Sequence, residues 1–189
     1  MKTDMEEQVQ ELNDFQKAFR DRELKAGMEL RAREKANIED AEDTDTQHGR
    51  YMTFRCDGDY YGIAITYVNE IIGIQPIAEL PDMPSYIKGL INLRGKIVPI
   101  LDVRERFGKP AIEYNDRTCV IVINVGEDTV GLIVDTIADV VTLEDDDILA
   151  PPASKSSGGA GHYIFGIGKC GNEVKLLVDP ERLIYEQEQ

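Results

Sequence analysis

The segment of this sequence closest to a known ligand-binding pattern is Gly166-Ile167-Gly168-Lys169-Cys170-Gly171, which has the form GxGxxG. A dinucleotide site built on that pattern needs a strand before the glycines and a helix after them, so that phosphate meets a helix N-terminus. Here a strand-like stretch follows instead, at 173–178. The glycines therefore read as hairpin and close-packing positions. Glu144-Asp145-Asp146-Asp147 could offer oxygen ligands to a hard cation. It lacks the central Gly and terminal Glu of an EF-hand loop and reads as solvated surface. CxxC and HExxH spacings are absent, and His48 and His162 are isolated in sequence, so no metal set is expected. No Ser, Cys or Lys stands in a nucleophile context such as GxSxG. These residues point to a binding module that is not an enzyme and takes no cofactor.

Two charged residues stand out because their neighbours are apolar. Glu70 lies in Val68-Asn69-Glu70-Ile71-Ile72, and Arg94 lies in Leu90-Ile91-Asn92-Leu93-Arg94-Gly95. A carboxylate in such a setting needs a partner, and a guanidinium fork can supply one. The pair would be an internal salt bridge fixing one hairpin against another, a polar pair on the rim of an apolar groove, or both. Spacing does not distinguish these roles.

The elements that would position them are strands. Residues 51–56 alternate, Asp57-Gly58-Asp59 turns, and 60–65 return, which is a hairpin signal. The pattern recurs at 120–134 with an offset of 69, so that Gly62 meets Gly131. A second stretch, 86–102, recurs at 163–179 with an offset of 77, so that Tyr86 meets Tyr163 and Asp102 meets Asp179. Each copy reads as hairpin, irregular proline-containing piece, hairpin and short helix (103–107; 180–185). This predicts a mainly β fold of two small barrels, one over 51–117 and one over 118–185. Units this small are marginal alone, so they are expected to share an interface whose groove is the place to look for binding.

Residues 1–50 differ in kind. They hold 23 charged side chains, two of the sixteen glycines and none of the eight prolines. Met5, Val9, Leu12, Phe15 and Phe19 form one stripe of a helix expected over 4–42, ending in a linker near 44–50. The segment is a helix packed on the body, a mostly solvated tail, or a docking helix for a further partner. Over the whole chain of 189 residues, 36 Asp and Glu against 21 Lys and Arg give a formal charge of −15. Nucleic-acid binding is excluded by that sign. No apolar run approaches about 18 residues, so no membrane insertion is expected. The acidic start is unlike a secretory signal, and Cys56, Cys119 and Cys170 are expected as free thiols in a cytoplasmic protein.

The combination YxTFxxxxxxYGIxIxxVxEII, then YIKGLINLRGKIVPILDVRERFG, then VGLIVDxIxDVV resembles the CheW-like family of bacterial chemotaxis coupling proteins. The resemblance covers about residues 50–185. It implies two SH3-like five-stranded β barrels and a non-catalytic adaptor. Its implied partners are methyl-accepting chemoreceptors and the regulatory domain of a CheA-type histidine kinase, at cytoplasmic receptor arrays. The VxEII match places Val68 and Glu70 at the family's receptor-binding groove, and the NLRG match places Arg94 beside them. Lys88 and Gly89 become candidates for the kinase side. The family's proline-containing segment corresponds to Ile148-Leu149-Ala150-Pro151-Pro152, which makes Ile148 a further kinase-side candidate. The charged segment 1–50 is longer than the family needs. It suggests an alternative, a CheW-like module serving another signalling complex through that helix.

Overall fold

In the computed structural model, residues 47–151 and 159–186 are described; the helix expected over 4–42 lies outside them. The chain divides into one unit of Asp45–Leu183 and another of Met1–Thr44 with Ile184–Gln189. The fold that follows is that of the first unit.

Eleven strands are described: β1 (Arg50–Cys56), β2 (Asp59–Ala64), β3 (Val68–Gly73), β4 (Ile87–Leu93), β5 (Lys96–Asp102), β6 (Cys119–Val125), β7 (Asp128–Val134), β8 (Thr136–Thr142), β9 (Ile148–Leu149), β10 (Ile164–Cys170) and β11 (Glu173–Val178). Short helices α1 (Val103–Arg106) and α2 (Pro180–Tyr185) follow β5 and β11. The strands form a five-stranded sheet, β3-β6-β7-β5-β4, and a six-stranded sheet, β8-β1-β2-β11-β10-β9. The sixth strand is the two-residue β9. The expected mainly β fold of two SH3-like barrels is therefore present.

One expectation is corrected. Residues 51–117 and 118–185 do not each close on themselves. Each sheet takes strands from both copies of the repeat: β6 and β7 join β3, β4 and β5, while β1 and β2 join β8 to β11. The physical reason lies in the connection after β2. Ile65–Tyr67 form a 3₁₀ turn rather than a hairpin loop, so β3 leaves in a new direction and pairs with β6 instead of folding back beside β2. The chain thereby crosses to the other sheet. The exchange obeys the repeat. Ile100 pairs with Gly131 across the parallel β5–β7 ladder, and Leu177 pairs with Gly62 across β11–β2. These pairs match under the offsets of 77 and 69.

Both interiors are filled from every side. In the five-stranded sheet, Ile91, Val98, Ile100, Val120, Val122 and Ile133 pack together, with Ile72 and Leu93 against them. In the other, Tyr51, Leu143 and Leu177 form the centre, with Val141, Ile148 and Cys170 against it. The helix starts repeat as well. Asp102 accepts from the Arg104 and Glu105 amides at 2.9 and 3.3 Å, and Asp179 accepts from those of Glu181 and Arg182 at 2.9 and 3.2 Å. Each cap is worth about 1 kcal/mol. Between the sheets, Arg104 Nη2 meets Asp135 Oδ2 at 2.8 Å and its Nη1 meets Asp57 Oδ1 in the β1–β2 turn at 3.0 Å.

The GxGxxG glycines lie in the β10–β11 hairpin, with β11 following them. A Cβ on Gly168 would stand 2.5 Å from a Leu143 methyl, so close packing explains the glycine there. Glu144 and Asp147 cap a single 3₁₀ turn, which accounts for the acidic run.

Cys56 is fully buried, whereas Cys119 and Cys170 are partly exposed. Burial first, and the Asp135 carboxylate second, push the Cys56 thiol up from 9.0 to about 12. The thiol stays neutral in the folded chain while an unfolded chain ionises above about 9. Its contribution to stability is thus complete below that pH and is lost as pH rises towards about 12, by about 1.4 kcal/mol per unit. Urea midpoints at pH 8, 9.5 and 10.5 should fall less steeply in Cys56→Ala than in the native chain. Equal slopes would contradict the burial of the thiol.

Candidate functional site

The β4–β5 turn is two residues long, Arg94-Gly95, and both have positive φ, 52° and 84°. That is the type I′ geometry that suits the twist of a hairpin. Glycine adopts it at no cost, but arginine does not. Asn92 Oδ1 accepts from the Gly95 amide at 2.8 Å and holds the turn from inside. The strained arginine projects its fork towards Glu70. Nη1 meets Oε1 at 2.8 Å and Nη2 meets Oε2 at 2.6 Å, a bidentate pair.

The pair spans the whole sheet. β3 carries Glu70 and is one edge; the β4–β5 hairpin carries Arg94 and forms the other. Only a sheet curled into a barrel brings those edges within side-chain reach. Register aims Glu70: it pairs with Val122, and Ile72 pairs with Val120, so the carboxylate shares the interior face at the barrel mouth. A bulge between Val68 and Glu70 turns this part of β3. The Glu70 side chain is 20% exposed and that of Arg94 is 74% exposed. The carboxylate is the anchored member and the guanidinium the one open to solvent. The adjacent Glu70 carboxylate raises the arginine's hold on its proton above the ordinary value.

Val68 is half-buried at the start of β3, directly after the turn that carries the chain between sheets. Ile71 on β3 and Ile97 on β5 are exposed, which leaves apolar surface on the strands bearing the fork. The repeat diverges at this point. Asp139 occupies the place of Glu70 and Gly171 that of Arg94, so the second barrel mouth has no equivalent fork.

The structure brings Glu70 and Arg94 together and places Val68 two residues before Glu70 on β3; the other candidates have different surroundings. Lys88 on β4 pairs with Glu105 of α1. Gly89 has φ 139° and lies under the Ala78 carbonyl, where a Cβ would stand 2.1 Å from the oxygen. Ile148 on β9 packs into the interior of the other sheet and against Gly166, with Leu149 beside it exposed. Sequence reasoning missed Arg106, which is buried on α1 with its guanidinium against two tyrosine rings. Extending the offset of 77 past Asp102 would have drawn attention to it, because an arginine there faces a leucine in the second copy. Among the described residues no helix is long and apolar enough to cross a membrane.

The CheW-like domain model matches residues 50–188. Chemotaxis protein CheW of Klebsiella aerogenes is 37% identical over 138 residues, covering 73% of this chain and 82% of that protein. Chemotaxis protein CheW of Treponema pallidum is 31% identical over 141 residues, covering 72% and 82%. The crystal structure of the scaffolding protein TtCheW from Thermoanaerobacter tengcongensis superposes with a TM-score of 0.67 at 27% identity, over 71% of this chain and 91% of that one. With the twin barrels of that fold and 139 of its 189 residues inside the family match, this chain belongs to the CheW-like family and is a non-catalytic coupling protein of chemotaxis signalling.

Proposed function

We propose that this chain couples the cytoplasmic tips of methyl-accepting chemoreceptors to the regulatory domain of a CheA-type histidine kinase, as a cytoplasmic component of receptor arrays. The observation that carries the reading is the Glu70–Arg94 fork at one barrel mouth, on a sheet whose strands also carry half-buried Val68 and the exposed Ile71 and Ile97. Apolar surface with a fixed charge at its rim suits a helical receptor tip: the apolar part supplies contact area and the charge sets register. Its absence from the second barrel mouth gives the two barrels different faces, as a protein joining two unlike partners requires.

Lys88, Gly89 and Ile148 belong to the kinase side in this proposal. Leu149, exposed on β9, supplies apolar surface on the six-stranded sheet, and Ile148 acts by fixing that strand against the sheet's interior. Lys88 reaches solvent only in part, since Glu105 holds it, and Gly89 acts through the backbone it permits.

The test is a pull-down of the full chain, and of the chain lacking residues 1–45, against receptor cytoplasmic tips and the kinase regulatory domain. Both forms should retain both partners. Failure of the full chain to retain either would overturn the coupling reading. The segment 1–49 lies outside the family match, which favours a second reading in which it docks a separate protein. Loss of a third protein or of cellular location in the deletion, with coupling intact, would support it.

A further inference from the structure

Arg106 is 1% exposed, on the last turn of α1. Its Nε donates to the Leu183 carbonyl at 2.9 Å. Its guanidinium carbon lies 4.3 Å from the centre of the Tyr86 ring and 4.8 Å from that of Tyr163. Tyr86 and Tyr163 are equivalent in the repeat, and so are Arg106 and Leu183, all by the offset of 77. The equivalence is structural too. The Tyr86 carbonyl accepts from the Asp102 amide at 2.7 Å, and the Tyr163 carbonyl accepts from the Asp179 amide at 2.8 Å. One guanidinium therefore touches a symmetry-related pair of rings and the backbone of its own counterpart. Its contacts thus draw on both copies of the repeat at once.

This is an odd place for a cation. Enclosing a guanidinium costs desolvation, and an apolar side chain of similar length often serves stability as well or better. What the cation adds is direction. A hydrogen bond and two ring faces fix one orientation, whereas apolar contacts alone permit sliding. Tyr86 leads into β4 of one sheet and Tyr163 into β10 of the other, so the fixed orientation is that of barrel against barrel. The ring ladder continues on the same side, from Tyr163 to Phe107 at 5.9 Å and Phe107 to Tyr61 on β2 at 4.8 Å. Val68 begins β3 immediately after the turn that leaves β2. A change in the angle between the barrels would therefore move Val68 and Glu70 relative to the six-stranded sheet.

We propose that Arg106 is a positioning residue that sets the angle between the two barrels, and through it the competence of the Val68–Glu70 junction for receptor coupling, without contacting the receptor. The proposal rests on the receptor reading given above. Its test uses the full chain with nitroxide labels on non-native side chains at Glu127 and Asn172, exposed positions on the β6–β7 and β10–β11 hairpin tips of the two sheets. Distances are read by double electron–electron resonance. Arg106→Met keeps a stem of similar length and should remain folded, with a melting temperature close to the native one. Its label-to-label distribution should broaden or shift, and receptor-dependent kinase activation should fall about tenfold. An unchanged distribution, or unchanged activation with a shifted one, would overturn the proposal. Should Arg106→Met fail to fold, Arg106→Lys keeps the charge without the planar fork, and the same two readouts decide. Glu70→Arg should alter activation without altering the distance. If that variant activates normally, the receptor reading fails, while the distance in Arg106→Met still reports whether the angle is set there.

Discussion

A Glu70→Arg chain should fold normally and lose receptor-dependent kinase activation, by roughly tenfold or more, the scale set by loss of an interface anchor. The substitution places a second guanidinium where Nη1 and Nη2 of Arg94 now find carboxylate oxygens at 2.8 and 2.6 Å. The like charges separate, and Arg94, already at φ 52°, loses the contact that offsets its strained turn. Folding survives because the interior of that barrel is apolar and is contributed by all five strands. An exposed ion pair adds little to stability by comparison. The informative control is the charge swap, Glu70→Arg with Arg94→Glu, which restores an internal pair with its polarity reversed. If the pair were only a clasp across the barrel mouth, the swap would restore coupling. We expect it to remain inactive, because the receptor should meet a carboxylate anchored on β3. Receptor-stimulated kinase autophosphorylation in a reconstituted mixture reads both variants. Normal activation by Glu70→Arg alone would remove Glu70 from the proposed receptor site.

The second large effect is on stability. Gly89→Ala should destabilise the fold by about 3 kcal/mol or more, against a total of about 5–15 kcal/mol for a domain of this kind. Two causes act together. The φ of 139° at Gly89 is one that side-chain-bearing residues rarely adopt, and a Cβ would lie 2.1 Å from the Ala78 oxygen. Neither can relax alone, because Ala78 and Leu90 are tied by two backbone hydrogen bonds of 2.9 Å. That bridge covers the open edge of β4. Urea denaturation followed by circular dichroism measures the effect, and a loss under about 1 kcal/mol would contradict the close approach. The result bears on the kinase side. Kinase binding lost in Gly89→Ala would reflect the fold rather than a contact. Lys88→Ala, which removes only the pairing with Glu105, tests the contact at the neighbouring residue.

The repeat was legible because it is written in residue types that tolerate few substitutes. Gly62 and Gly131 both lie where a Cβ would crowd the partner strand, 3.0 Å from a Leu177 methyl and 2.5 Å from an Ile100 methyl. Asp102 and Asp179 both cap helices. Strand partners were not legible. Alternation tells which side of a strand faces inward, but β1 looks the same whether it pairs with β3 or with β8. The Glu70–Arg94 pair could be read because each charge interrupts an apolar run. Arg106 was masked, since Val103-Arg104-Glu105-Arg106 has the composition of a solvated helix and only its alignment with Leu183 hints otherwise. Its burial comes from Tyr86 and Tyr163, neighbours brought in from 20 residues before it and 57 after it in sequence. The Lys88–Glu105 pair was hidden for the same reason, joining a strand to a helix across an intervening hairpin.

The exchange of strands between the two copies has a consequence for synthesis on the ribosome. β1 and β2 are made first, but their sheet neighbours β8 and β11 are made late, and β11 ends only at Val178. Both outer edges of the first hairpin are open until β8 ends at Thr142, the β2 edge stays open until Val178, and Phe54 and Tyr61 lack the Phe107–Tyr163 part of their ladder until Tyr163 is made. The other barrel can close earlier, at Val134, when β7 completes it. The nascent chain should therefore pass through a state with one finished barrel and one waiting hairpin, whose bare edges are sites for mispairing with other chains. A stop codon anywhere between β7 and β11 would leave that state permanent. Such products should be captured by chaperones and degraded rather than persist as half-sized adaptors that bind one partner and block the other.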